Sequence, residues 1–174
     1  MRFMPFQTAR FRVAHWCPLL GDASARRALE EALRDILTPA VLAHLPESFR
    51  PDPGKGSASR WIDARAAESD VLTIHAQRDG RLVGLVILAA GPNDAAPAVL
   101  HLGYLFAQPV WGQGAASEVL GGLLASLRGR APISLLGGVD RDNPASARVL
   151  QKAGFQRDPE LSGPRGEMYR LDLA

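Results

Sequence analysis

The sequence predicts an α/β protein, an α+β mixed sheet with flanking helices, and three observations carry that expectation. Three consecutive apolar runs of strand length occupy residues 71–107, separated by turn signals at Asp79-Gly80 and at GPNDAAP. Outside this meander, helix-like and strand-like stretches alternate along the chain. The last run of the meander ends at a glycine-rich turn, WGQGAA from Trp111, that passes straight into a helical pattern. The expected order is strand, helices, three-strand meander, helix, strand, helix, strand, in one domain across residues 1–174.

Thr8 to Trp16 alternates loosely through Phe11 and Val13 and is the expected first strand. Asp22 stands where it caps a helix whose Leu29, Leu33, Ile36 and Leu37 share one face. Thr38-Pro39 reads as an N-cap followed by proline at the first helical position, opening a short helix that Pro46 stops. The stretch PESFRPDPGKG is a loop, and Ser57–Ser69 a third helix with Trp61 on its buried side. In VLTIHAQ-RDG-RLVGLVILAA, Asp79-Gly80 marks a hairpin, because tight primed turns require positive φ. GPNDAAP turns the chain again into AVLHLGYLFA. After the glycine turn follow a helix to about Leu127, a strand PISLLGGVD, a helix from Pro144 to Ala153 and a last strand EMYRLDL.

Composition narrows the function classes. With 174 residues and 47% hydrophobic content, the chain is long enough to bury a sizeable core. A net charge of +2 with scattered basic residues argues against a nucleic-acid groove. Only Lys55 and Lys152 are lysines, which reads as the imprint of a GC-rich bacterial genome rather than a phosphate-binding need. One cysteine, Cys17, excludes an intramolecular disulfide and a thiolate metal cluster, and His15, His44 and His75 lack metal-ligand spacing. The longest apolar run, LVGLVILAA, is about half of what a membrane helix needs, and the N-terminus lacks a signal peptide's apolar core. A cytoplasmic protein with no metal and no membrane or nucleic-acid partner is expected.

The glycines at 112 and 114 raise the functional question. A strand that stops at such a turn and feeds a helix presents free backbone N–H groups and the positive end of the helix dipole, a combination that attracts phosphate. Glycine matters there because a Cβ would keep a ligand off the backbone. No G-x-x-x-x-G-K-[ST] is present, which excludes a Walker loop. A dinucleotide fold, with Asp140 ending the next strand, is opposed by the short chain remaining after Asp140 and by the antiparallel meander before the loop.

W-G-Q-G-A-A resembles the Q/R-x-x-G-x-G/A loop of the GNAT acyltransferases, with Trp111 in the Q/R position as in the RimJ/RimL-like branch. DRDNPASARVLQKAGF resembles that family's second signature, an Asn-x-x-Ser/Ala helix ending in Gly-Phe. The two match in order and spacing across residues 98–156. The resemblance implies a twisted sheet whose fourth and fifth strands, here Ala98–Ala107 and Pro132–Asp140, splay apart to admit acetyl-CoA. It implies that pantetheine pairs with backbone near Phe106. The pyrophosphate then sits on N–H groups of Gly112, Gln113, Gly114, Ala115 and Ala116 beside Trp111, and Asn143 and Ser146 lie near the thioester. A monomer or homodimer acting on a protein N-terminus or a small-molecule amine is expected.

Acetyl transfer to an amine needs a base, donors for the developing oxyanion and a proton for the leaving thiolate. The family's usual acid, a Tyr seven residues after the signature Asn, is Leu150 here; the RimL-like alternative maps to Ser146. The alternative reading of Ser146 is a helix-start hydroxyl bonded to backbone, and Tyr104 reads as a half-buried strand aromatic. For the base, His101 stands where relatives carry Glu in a strand motif E-I-G-Y, and a histidine suits that work. Glu160, in a strand-like PELSG after the Gly-Phe, resembles a second candidate, the base of the RimL-like branch. Cys17 as an acetyl carrier is a further chemical option, but it stands far in sequence from the cleft motifs and reads rather as a small core residue. A non-catalytic acyl-CoA sensor or scaffold is the rival from another class.

Overall fold

The apolar runs of the meander form the middle of a mixed sheet. The computed structural model describes residues 3–91, 98–130, 132–164 and 166–174. In chain order its elements are β1 (Phe6–Gln7), β2 (Phe11–His15), α1 (Cys17–Leu20), α2 (Ala23–Ile36), α3 (Pro39–Leu42) and α4 (Ser57–Glu68). There follow β3 (Asp70–Ala76), β4 (Leu82–Ala90), β5 (Ala98–Phe106), α5 (Ala115–Leu127), β6 (Ile133–Asp140), α6 (Pro144–Lys152), β7 (Gln156–Gly163) and β8 (Gly166–Leu173). The strand order is β1-β2-β3-β4-β5-β6-β8-β7. The β5–β6 pair is parallel and its neighbours are antiparallel.

Strand alternation gives the sheet two apolar faces. On one face Leu100, Leu102 and Phe106 of β5 and Leu135 and Val139 of β6 pack under Val119, Leu123 and Leu127 of α5 and Leu150 of α6. On the other, Leu85, Ile87 and Leu105 meet Leu29, Leu33 and Ile36 of α2 and Trp61 and Ile62 of α4, with Trp16 edge-on to Trp61 at 6.4 Å. Asp22 caps α2 through bonds to the N–H groups of Ser24 and Ala25. The cap contributes about 1 kcal/mol and each fully buried Leu about 1.5–3, so the apolar stripe decides where α2 lies.

Most expected elements are present, including the hairpin turn with Gly80 at φ +71°. Two were not foreseen, β1 and α1, and β7 extends the strand-like PELSG back to Gln156. The C-terminal helix ends at Lys152, and the loop before α4 holds a 3-10 turn at Glu47–Phe49. Apart from Gly91, the turn expected at GPNDAAP lies outside the described residues.

Where β5 meets β6 the sheet opens. The two strands are in register from Ala98↔Ile133 to His101↔Leu136 and then part. Beyond that point β5 stays on β4 as far as Gly84↔Phe106, and β6 stays on β8 as far as Asp140↔Gly166.

Candidate active site

The glycine loop leads from the end of β5 into α5. Gly112 and Gly114 have φ of +72° and +75°, a region that other residues enter at a cost, so the turn selects glycine. A Cβ at Gly112 would meet nothing within 4 Å, and one at Gly114 only an Arg10 nitrogen at 3.9 Å, so the space beside this backbone is open. The first helical bond of α5 runs from the N–H of Glu118 to the Gly114 carbonyl at 3.0 Å. The N–H groups of Ala115, Ala116 and Ser117 precede it and have no acceptor within the helix. A string of donors entered through two glycines, whose backbone no Cβ covers, fits a diphosphate.

The cleft supplies a second set of backbone groups. Ala107 N–H bonds the Val83 carbonyl at 2.8 Å and Gly91 N–H bonds that of Val99 at 2.8 Å, so odd-numbered residues of β5 face β4. The backbone groups of Tyr104 and Phe106 therefore point into the gap beside β6. One is engaged: the Phe106 carbonyl accepts the indole N–H of the half-exposed Trp111 at 2.7 Å, tying the loop to the strand end.

Across the gap, α6 presents a hydroxyl. Asn143 is its N-cap, accepting the Ser146 N–H on Oδ1 at 3.1 Å. That frees the Ser146 side chain from capping, and its Oγ instead lies 2.7 Å from the Tyr104 hydroxyl. Burial raises the Tyr104 phenol above its ordinary value, partly offset by the Ser146 bond. Leu150, at the position where relatives carry the acid, is buried; a Cβ on Gly137 of β6 would lie 2.9 Å from its Cδ1.

His101 and Glu160 are not brought together. His101 is the last registered residue of β5 before the gap, and alternation turns its exposed side chain to the α2/α4 face, away from Tyr104. Glu160 lies exposed on β7, its N–H bonded to Asp158 Oδ1 at 3.1 Å, beside an open groove of about 660 Å³ lined also by Arg157, Arg170 and Asp172. β6 and β8 stand between β5 and β7, three interstrand spacings or roughly 14 Å. Cys17, expected in the core, is instead exposed, because it opens α1, a one-turn helix with no buried residue.

Residues 24–156, about three quarters of the chain, match the family model described as acetyltransferase (GNAT) domain. The chain belongs to the GNAT acetyltransferase family. Membership makes it an acetyltransferase and implies acyl-CoA-dependent acetyl transfer. Its fold is that of solved GNAT structures at low identity. An acetyltransferase from Agrobacterium tumefaciens str. C58 superposes with TM-score 0.68 at 18% identity, over 98% of this chain and 95% of that one. RimL, the ribosomal L7/L12 alpha-N-protein acetyltransferase solved in complex with coenzyme A, gives 0.71 at 15%, over 98% of each chain. The ribosomal-protein-S5-alanine acetyltransferase from Vibrio fischeri gives 0.60 at 12%, over 97% and 95%. No curated protein matches the sequence significantly. Among the described residues of this GNAT domain no cluster of three or more His, Cys, Asp or Glu is placed to hold a metal, and no helix is long and apolar enough to cross a membrane.

Two features of the site escaped the sequence. Tyr104 and Ser146 are 42 residues apart and meet only through the fold. Arg10, 103 residues before Gln113, donates to the Gln113 carbonyl at 2.9 Å. Neither contact has a local sequence signal.

Proposed function

We propose that this GNAT protein moves acetyl from acetyl-CoA to a primary amine, a protein N-terminus or a small-molecule amine, by direct attack, as in the RimJ/RimL-like branch. The observation that carries the reading is the Ser146–Tyr104 hydroxyl pair at the opened end of β5. When bound, acetyl-CoA supplies an activated acyl group on a thiolate leaving group. The N–H groups of residues 112–116 hold its diphosphate, and the Tyr104 and Phe106 backbone edge lines its pantetheine arm. The amine forms the new C–N bond as the C–S bond breaks. Ser146 gives its proton to the departing sulfur and regains one through Tyr104, which takes its own replacement from solvent and so ends the cycle protonated. The N–H groups freed on β5 beyond His101 face the oxygen on which charge develops. His101 or Glu160 takes the proton the amine gives up.

The test is a screen of amine acceptors with acetyl-CoA, read as release of free thiol. Turnover with an amine is the expected result. CoA binding with no turnover on any acceptor would replace this reading with that of an acyl-CoA sensor or scaffold. Gly114→Val checks the loop: the protein is expected to stay folded and to lose CoA binding in a calorimetric titration, and normal binding by the folded variant sinks the loop assignment.

A further inference from the structure

We propose that Arg10, in the turn between β1 and β2, is the positioning residue that sets the phosphate-binding loop; this rests on the reading of that loop as the CoA diphosphate site. The loop needs an external anchor, because Gly112 and Gly114 flank Gln113 with the widest backbone freedom a chain has. Arg10 provides one. Its Nη2 donates to the Gln113 carbonyl at 2.9 Å and its Nε to Glu118 Oε2 at 2.6 Å, while its backbone N–H donates to Glu118 Oε1 at 2.8 Å. In a trans peptide the carbonyl and the following N–H point in opposite directions. Holding the Gln113 carbonyl toward Arg10 therefore aims the Gly114 N–H the other way, away from the guanidinium and free to meet a ligand.

The same side chain corrects an electrostatic problem. Glu118 lies in the first turn of α5, where a carboxylate repels a bound phosphate. Burial works against its charge, but hydrogen bonds from Thr8 and Arg10 outweigh burial and hold the carboxyl below the ordinary Glu range. It is ionised at neutral pH, and Arg10 neutralises it. Arg10 is itself held by packing. A Cβ on Gly122 of α5 would lie 2.7 Å from the Phe6 ring and 2.9 Å from the Thr8 methyl, so the β1–β2 turn is seated directly on the helix. Arg10 is 45% exposed and Glu118 20%, so water screens the pair, its value to folding is small and its geometry toward the loop is its distinguishing property.

The experiment compares CoA with pantetheine, which lacks the phosphates, as ligands for the wild type, Arg10→Gln, Arg10→Lys and the double variant Arg10→Gln/Glu118→Gln. Arg10→Gln should weaken CoA about tenfold or more, the contribution of one charge-assisted hydrogen bond, and leave pantetheine unchanged. The KM for acetyl-CoA should rise while kcat at saturation holds. Arg10→Lys, which keeps the charge but not the fork, should also bind CoA weakly, as should the double variant. Recovery of CoA affinity in the double variant would reduce Arg10 to a mask for Glu118 and overturn the positioning role. Wild-type affinity in a folded Arg10→Gln or Arg10→Lys would overturn it too. A wild type that binds pantetheine as tightly as CoA would overturn the diphosphate reading itself, and the proposal with it.

Discussion

Removing one oxygen from Ser146 tests its proposed role as acid without uncapping α6, since Asn143 caps the helix and the Ser146 Oγ bonds Tyr104 instead. Ser146→Ala is therefore expected to lower kcat by about 10²-fold, the usual size of acid assistance, with CoA binding unchanged. Tyr104→Phe keeps the ring and removes the hydroxyl that resupplies the proton, so kcat should fall by less. Because burial raises the Tyr104 phenol, the native state favours the protonated form, and that contribution is lost only as pH rises through the raised folded value. The phenol thus stays a donor to at least about pH 10, its unperturbed value. Single-turnover rates and CoA titrations on both variants check this, and an unaltered kcat in Ser146→Ala returns the residue to a structural role. At this scale the resemblance to the GNAT helix signature is what pointed to Asn143 and Ser146. It showed no sign of Tyr104's partner, because a contact across 42 residues is made by the fold and not by local chain geometry.

Elements obey packing rules that the sequence reveals only in part. β3, β4 and β5 are legible because each buries an apolar set between two helical layers. β7 is legible only in its PELSG part, because it is an edge strand: QRDPELSG is exposed along most of its length, contains Pro159, and breaks register with β8 between Asp158 and Gly163. No alternation can mark a strand with so little to bury. β1 has only two residues and is held by its fit against α5, again beyond the reach of periodicity. The α6–β6 contact gives a quantitative test. Gly137→Ala puts a methyl 2.9 Å from Leu150 Cδ1 and is expected to cost about 1–3 kcal/mol through overpacking. Leu150→Ala empties the same space and should cost about 2–5 kcal/mol. Combined, they should cost less than their sum, since the small side chain removes the clash. Denaturant unfolding of the four proteins measures the coupling, and strict additivity would mean that the strand and helix adjust independently.

Across the whole molecule, the sheet divides the chemistry between its faces. The glycine loop feeds α5, and Tyr104 and Ser146 lie on the α5/α6 face, whereas alternation turns His101 to the face covered by α2 and α4. In the proposed reaction an amine approaching from the His101 side would meet the acyl group through the gap where β5 and β6 part, its proton leaving on one face and the thiolate's proton arriving on the other. On that proposal the division favours His101 over Glu160 as the base. His101 is the residue at which the strands separate, while Glu160 sits on the far edge strand beyond β6 and β8. His101→Gln keeps size and hydrogen bonding but removes the titrating group, and its rate loss should exceed that of Glu160→Gln. The comparison uses kcat/KM for one good acceptor at fixed pH, because the acceptor amine must also lose a proton and its own titration overlays any pH profile. The reverse order moves the base to Glu160 and requires the β7–β8 hairpin to fold toward the gap in the working complex. No loss from either variant leaves the proton to water or to the substrate, and the two faces then serve binding alone.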